Sequence, residues 1–289
     1  MGKRFDTPVF PGGKSKVFTL SYDDGVVQDR RLAPMLRQYG VKCTFNLGSA
    51  LLGHPDMGGF PGKPELDLSK ISPEEVTELY AGHEVAGHSL YHSSLDKVGS
   101  PLAAYEIAED KRRLEALTGK PLRMFAYPFG MYNPQVVELL RLCGYQGART
   151  IRSSHSFDLP QNFLEWDPTC HHNDPQLMEL ARQFVEAPPF FPMLFYVWGH
   201  AYEFDDNDNW SVMEGLVAYL AEHKDKIWFA TNGEILEYLN AYHRLEYSVD
   251  GSLIYNPSAI DVTIRTGMEQ TELLKAGCCT RVADTPALT

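Results

Sequence analysis

Along most of the chain, short β-favouring runs alternate with longer stretches in which apolar residues recur every three or four positions. Residues 17–22 form the first such run and end at Asp23-Asp24-Gly25. A helix follows up to Tyr39, with Leu32, Met35, Leu36 and Tyr39 on one face and Gly40 as its stop; Pro34 implies a late start or a kink near the first turn. Strands are expected at 41–46, 83–87, 123–127, 145–151, 195–198 and 227–230. Between them, Ser72-Pro73-Glu74-Glu75 starts a helix ending near Gly82, Ser100-Pro101 opens one closed by Gly119, and Asn133-Pro134 opens one ending at Gly144. In that last helix Val136, Val137, Leu139, Leu140 and Leu142 are expected to face inward. Asp174 is expected to cap another helix, and residues 210–223 and 235–242 supply two more. Residues 49–70 hold glycine, proline and little periodicity, and a loop this long is expected beside a cleft.

About seven strand-then-helix units in a row imply a parallel sheet with helices outside, and that many tend to close into a barrel. Site residues then gather at one rim. From about Leu245 the pattern changes to a hairpin around Asp250-Gly251 and an alternating run at 260–264. The expected division is a catalytic barrel over residues 1–243 and a β-rich appendage over 244–289, to which no chemistry is given.

With 289 residues, 44% hydrophobic and 12% aromatic, the chain can bury a sizeable core. A net charge of −12 argues against nucleic acid and anionic membrane as partners, since both are recognised mainly through Lys and Arg, but leaves neutral glycans open. The five cysteines are odd in number and include the adjacent pair Cys278-Cys279, so no disulfide framework is visible. No leader-like apolar run follows the N-terminus and no stretch approaches a membrane span. A cytoplasmic protein is expected if the N-terminus is native, and a secreted or envelope protein if a signal peptide has been removed.

Two adjacent carboxylates at a strand end are ordinary turn chemistry when they stand alone. Downstream, however, His88 and His92 lie four residues apart in His88-Ser89-Leu90-Tyr91-His92, on one face if that turn is helical. One Asp and two His make three of the four ligands of an open catalytic metal site. Zinc is the obvious ion for such nitrogen and oxygen ligands, with cobalt, nickel or iron as alternatives. A divalent metal lowers the pKa of its water and polarises a carbonyl, which permits amide or ester hydrolysis without a covalent enzyme intermediate.

The Asp-Asp-Gly strand end, the histidine pair, Phe125-Ala126-Tyr127-Pro128-Phe129-Gly130 and Trp198-Gly199-His200 follow one another in that order. With this ordered set the chain, over about residues 15–242, resembles the polysaccharide deacetylases, the carbohydrate esterases of family 4. The resemblance implies an irregular (β/α) barrel of seven strands, Asp24 as metal ligand beside His88 and His92, Asp23 as general base, and the backbone N–H of Phe129 as an oxyanion donor. His200 is the candidate general acid, because a poor leaving amine must be protonated from the side opposite the base.

Two positions depart from the usual family pattern. The third motif commonly carries an arginine that orients the catalytic aspartate, and residues 126–130 lack it. The fourth motif's Asp-Trp is absent, and Gly147-Ala148-Arg149-Thr150 stands in its place. Arg149 is therefore the candidate cation that fixes Asp23, against the alternative of an exposed or stem-packed arginine. In residues 166–174 the neighbouring histidines and an Asp could bind substrate, orient His200 or supply another metal ligand; Asp167 is the candidate to orient His200, and at most one of His171 and His172 should face the cleft, His172 being the candidate substrate contact. Glu203 is expected within reach of substrate hydroxyl or ammonium groups, while Tyr127, Phe129, Tyr132, Trp198 and Tyr202 are candidates to stack on sugar rings, half of them being expected in the core.

The sequence thus points to a metal-dependent hydrolase removing an N-acetyl, or the easier O-acetyl, group from an amino sugar or oligosaccharide, with no nucleic-acid or membrane partner. Non-glycan C–N hydrolysis on the same fold, a non-catalytic glycan-binding domain and a structural metal site are the alternatives.

Overall fold

The computed structural model describes residues 7–59, 63–267 and 270–282. Residues 1–6, where a leader was sought, lie outside them, as do 60–62 of the long loop and 268–269 and 283–289 of the appendage.

Eight parallel strands form one sheet: β1 (Lys16–Asp23), β2 (Cys43–Leu47), β3 (Glu84–Gly87), β4 (Met124–Ala126), β5 (Gly147–Arg149), β6 (Cys170–His171), β7 (Met193–His200) and β8 (Ile227–Phe229). Neighbours run in the order β5-β4-β3-β2-β1-β7-β6. A parallel bridge between Arg149 and Trp166, on the segment leading into β6, joins the two ends of that path. Seven strands therefore make the ring of an irregular (β/α) barrel. The eighth, β8, pairs only with Lys16–Phe18 of β1, ahead of the Leu20–Asp23 stretch that pairs with β2.

Flanked by three strands and covered by helices, β1 is buried at every residue. Its polar side chains accordingly find internal partners: Lys16 Nζ donates to the carbonyls of Val185 and Ala187, and Thr19 Oγ1 to Asn232 Oδ1. The crossover helices follow the expected alternation, the longest being Ser100–Thr118, which ends at Gly119 in the left-handed conformation.

Local expectations fail in a few places. The first helix begins at Asp29 and runs on through Pro34 to Gln38, so proline marks neither its start nor a break. Leu142 is 74% exposed, because the last turn of its helix swings past the core after Leu140. Asp174 does not cap the next helix directly: that helix begins at Leu177, and the Asp174 carboxylate receives the Gln176 N–H one step ahead of it.

The appendage consists of two three-stranded antiparallel sheets. One joins Glu246–Tyr247, Leu253–Tyr255 and Cys279–Arg281, and includes the Asp250-Gly251 hairpin. The other places Val262–Arg265 between Thr271–Leu274 and an N-terminal strand, Thr7–Val9, that the sequence pattern did not reveal. Ile254, Val262, Ile264 and Leu274 pack into one apolar cluster with Phe10, Leu236 and Leu239, so this layer closes over barrel helix Asn232–His243. Among the described residues no helix is long and apolar enough to cross a membrane.

Candidate active site

Strand register places the acidic pair. Asp23, the last residue of β1, lies level with Asn46 of β2 and with His200, the last residue of β7. Asp24 then turns out of the strand with φ +79°, a left-handed conformation that Asp tolerates better than most residues, and Gly25 continues it at φ +59°. A Cβ at residue 25 would stand 2.7 Å from Leu47 Cδ2, so the glycine is required by space as well as by φ.

Asp23 is buried. Its Oδ1 accepts a 2.8 Å hydrogen bond from Asn46 Nδ2, and its Oδ2 a charge-assisted bond from Arg149 Nη2. Burial by itself would raise the pKa of this carboxyl; the Arg149 guanidinium, followed by His88 and His200, instead holds it down to about 2. Arg149 is fully buried too, with Nε on Ser21 Oγ at 3.2 Å, Nη1 on the Thr150 carbonyl at 3.0 Å and the Trp198 ring 4.3 Å away. The cation missing from the third motif is thus supplied by β5, where the sequence set Arg149.

His88 and His92 meet Asp24, though not through a helical turn. Ser89 and His92 both carry positive φ, at +61° and +56°, and this irregular loop aims both imidazoles at one carboxylate. Asp24 Oδ1 lies 3.8 Å from His88 Nε2 and 3.6 Å from His92 Nε2. Two ligand atoms sharing a tetrahedral zinc are separated by roughly 3.4 Å, so the spacing suits an ion between them. The His88 Nδ1–H donates to the Ala126 carbonyl at 2.8 Å, which leaves the Nε2 lone pair facing Asp24, buried and without a protein partner. Burial, then His88, pushes His92 down to about 4, so His92 is neutral near pH 7. Asp24 is held ionised, with Lys70 the largest influence against burial; Lys70 Nζ lies 3.9 Å from its Oδ2. The donor set, the orphaned nitrogen and the spacing all fit a divalent cation.

His200 approaches from β7, its Nε2 4.0 Å from Asp23 Oδ2, so acid and base candidates stand side by side rather than across the cleft. Its Nδ1 contacts Glu203 Oε1 at 2.9 Å. Burial lowers the pKa of this imidazole, but Glu203, then Asp23 and Asp24, outweigh it and raise the value above the usual histidine range. The other Glu203 oxygen lies 2.8 Å from His172 Nε2, 3.3 Å from His171 Nε2 and 2.9 Å from Asn173 Nδ2. His171 Nδ1 accepts the Asn173 N–H, which places the proton of His171 on Nε2, towards Glu203. His171 and His172 thus gather around the Glu203 carboxylate with metal-type spacing, His172 Nε2 being buried without a hydrogen-bond partner, and Glu203 faces histidines rather than substrate.

Other expectations shift for the same reason, that packing partners decide where a ring ends up. His172 is buried between Tyr22, whose hydroxyl meets Nδ1 at 2.9 Å, and Phe204, not exposed to the cleft. Gly199 makes room for it: a Cβ there would stand 2.0 Å from His172 Nδ1. Tyr127 is buried with its hydroxyl on the Leu164 carbonyl, and Trp198 lies against Arg149 and His171. Asp167 pairs with Arg152 and Thr150 and does not orient His200; Glu203 occupies that role. Phe129 alone of the five aromatic candidates is well exposed, at 56%, edge-on to His92 at 4.4 Å, Tyr132 and Tyr202 being half-buried. The φ of +58° at Phe129 is a left-handed conformation inside the short turn Pro128–Gly130. The long loop does return to this rim, through Lys70 and through Lys63, which pairs with Asp206 behind Glu203. Asn46 and Lys70 carry no motif and were missed; the alternation of β2 and the end of the long loop were their only signals.

A family model described as polysaccharide deacetylase matches residues 11–148. No curated protein matches the sequence. Among solved structures, a Mycobacterium smegmatis protein classed with the polysaccharide deacetylases is 17% identical, with a TM-score of 0.60 over 82% of this chain and 94% of that one. The Xyl-CE4 domain of a multidomain xylanase from the hindgut metagenome of Trinervitermes trinervoides is 16% identical, with a TM-score of 0.53 over 81% and 96%. A CE4 family pseudoenzyme from Bacillus anthracis is 18% identical, with a TM-score of 0.50 over 77% of this chain and 66% of that one. At such identities these likenesses concern the fold, and turnover has to be argued from the site.

Proposed function

We propose that the chain, similar to the polysaccharide deacetylases over residues 11–148, is a metal-dependent hydrolase removing an N-acetyl group, or an O-acetyl group, from an amino sugar or oligosaccharide with release of acetate. The observation that carries this reading is the pair of opposite partnerships at the rim: the Arg149 guanidinium sits on the Asp23 carboxylate, and the Glu203 carboxylate on His200 Nδ1 at 2.9 Å, which raises the pKa of that imidazole. A binding module has no use for a base and an acid held ready 4.0 Å apart beside three metal-type ligands.

Asp24, His88 and His92 would hold the cation, with zinc the best match to two imidazoles and one carboxylate and cobalt, nickel or iron the alternatives. Bound there, a divalent cation would polarise the acyl carbonyl and lower the pKa of the attacking water. Asp23 accepts that water's proton at the carboxylate, oriented by Asn46 and Arg149. The Phe129 N–H is the candidate donor to the carbonyl oxygen as it gains charge, the role the family resemblance implies. His200 delivers its Nε2 proton to the leaving nitrogen, and Glu203, on Nδ1, stabilises the imidazolium until it does. Phe129 offers an exposed ring face to a sugar or acyl group at the same rim.

Acetate release from N-acetyl hexosamines, chitooligosaccharides and acetylated xylan tests the proposal, with zinc- or cobalt-loaded protein and a chelator control. Release that stops with chelator and with Asp23→Asn is expected. Absence of release from every glycan, with one metal bound per chain, would reject the glycan substrate and turn the search to small non-glycan amides.

A further inference from the structure

Helix Ser100–Thr118 buries the stripe Ala103, Glu106, Ile107, Asp110 and Leu114. Two carboxylates one turn apart in the middle of a buried stripe need a reason, since an unpaired buried charge is costly. Among the described residues neither forms an ion pair with a Lys or Arg. Both instead receive donors from the loop that carries the histidines. Asp110 Oδ1 accepts the Ser49 N–H at 2.8 Å and Oδ2 the His88 N–H at 3.1 Å. Glu106 Oε2 accepts the Tyr91 N–H at 2.9 Å, Oε1 the Ser93 hydroxyl at 2.9 Å, and the Glu106 backbone carbonyl the Leu90 N–H at 3.2 Å.

These contacts bear on the shape of the ligand loop. Between His88 and His92 the backbone enters the left-handed region twice, at Ser89 and at His92, neither of which is glycine. Each such residue costs roughly 1–3 kcal/mol and persists only where its surroundings over-determine it. Asp110 ties Ser49, just past the end of β2, to His88, just past the end of β3, and so fixes the two strand ends against each other. Glu106 holds the crest of the loop one helical turn further along. We propose that Glu106 and Asp110 are positioning residues that clamp the loop from behind, so that the imidazoles of His88 and His92 are aimed at Asp24 before any ion arrives. The inference rests on the reading of Asp24, His88 and His92 as metal ligands.

The test compares Asp110→Asn and Glu106→Gln with Leu114→Ala, which removes apolar packing from the same buried face without touching the loop. Three quantities are measured: cobalt affinity with its visible absorption spectrum, thermal unfolding of the metal-free protein, and hydrogen exchange of the amides in residues 88–93. Supporting hydrogen bonds of this kind typically change metal affinity about 10- to 100-fold. The two carboxamide variants are expected to lose that much, to alter the cobalt spectrum and to speed exchange across 88–93 in the metal-free state. Leu114→Ala, though less stable, is expected to bind cobalt as wild type does. Wild-type affinity and wild-type loop exchange in both carboxamide variants would overturn the clamp while leaving the metal site intact, as would an equal loss in Leu114→Ala. Failure of the wild-type protein to bind cobalt would overturn the ligand assignment itself, and the clamp as a metal-positioning device with it.

Discussion

Replacing Arg149 by methionine removes a fully buried guanidinium from a carboxylate that is itself almost fully buried. Methionine fills much of the same volume against Trp198 but leaves Asp23 with Asn46 and the neighbouring imidazoles alone. Breaking a buried ion pair by deleting one partner costs about 3–5 kcal/mol, mostly through the charge left behind. For a chain of 289 residues that corresponds to a fall in Tm of roughly 5–8 °C. The second consequence is chemical. Arg149 is the largest influence holding Asp23 down to about 2 against burial, so its removal lets the carboxyl pKa rise. The acid limb of kcat/KM, below the working range in the wild type, should move up into it, and activity should fall more at pH 5 than at pH 8. Urea titration and pH–rate profiles of Arg149→Met, Asp23→Asn and the double variant form a cycle. Asp23→Asn also strands a charge, the guanidinium, so the double variant should be several kcal/mol more stable than the sum of the two single losses implies. Additive losses, or an Arg149→Met profile parallel to wild type at every pH, would refute the assignment of Arg149 as the group that fixes Asp23.

Glu203→Gln should lower the raised pKa of His200, because the carboxylate that stabilises the imidazolium is gone; the alkaline limb of the activity profile then moves to lower pH, as measured by kcat/KM against pH. Asp29 is buried with one carboxyl oxygen unpartnered and the other on the Tyr80 hydroxyl, and burial pushes it up to about 8. Its contribution to stability is therefore full below the unfolded pKa near 4 and is lost, at up to about 1.4 kcal/mol per pH unit, as pH rises towards 8. Asp29→Asn should flatten that decline in denaturant titrations between pH 4 and 8. Gly25→Ala forces a Cβ against Leu47 at a positive φ, and should weaken metal binding along with stability, read by calorimetric metal titration beside thermal unfolding.

What the sequence determined was local. The spacing of apolar positions located most strands and crossover helices, though not the two-residue strand Cys170–His171 that completes the ring, and glycine or proline at their ends set most boundaries, because period and capping are written within a few residues of where they act. The adjacent carboxylates and the two histidines were legible for the same reason: each stands just past a strand, where a parallel barrel must gather its chemistry. Arg149 was placed by its position in the ordered motifs. The tertiary structure decided what meets across long separations. Trp166 closes the ring against Arg149, Thr7–Val9 joins a sheet more than two hundred and fifty residues away in sequence, and Asn46 faces Asp23 only because β1 and β2 pair in that register. The sequence offered Asp167 as the partner of His200 and Glu203 as a substrate contact until side-chain contacts gave His200 to Glu203, and His172 turned inward because Gly199, Tyr22 and Phe204 leave it a slot. Glu106 and Asp110 read as ordinary helix carboxylates along the chain; their meaning lies in the loop amides that face them, which no periodicity records.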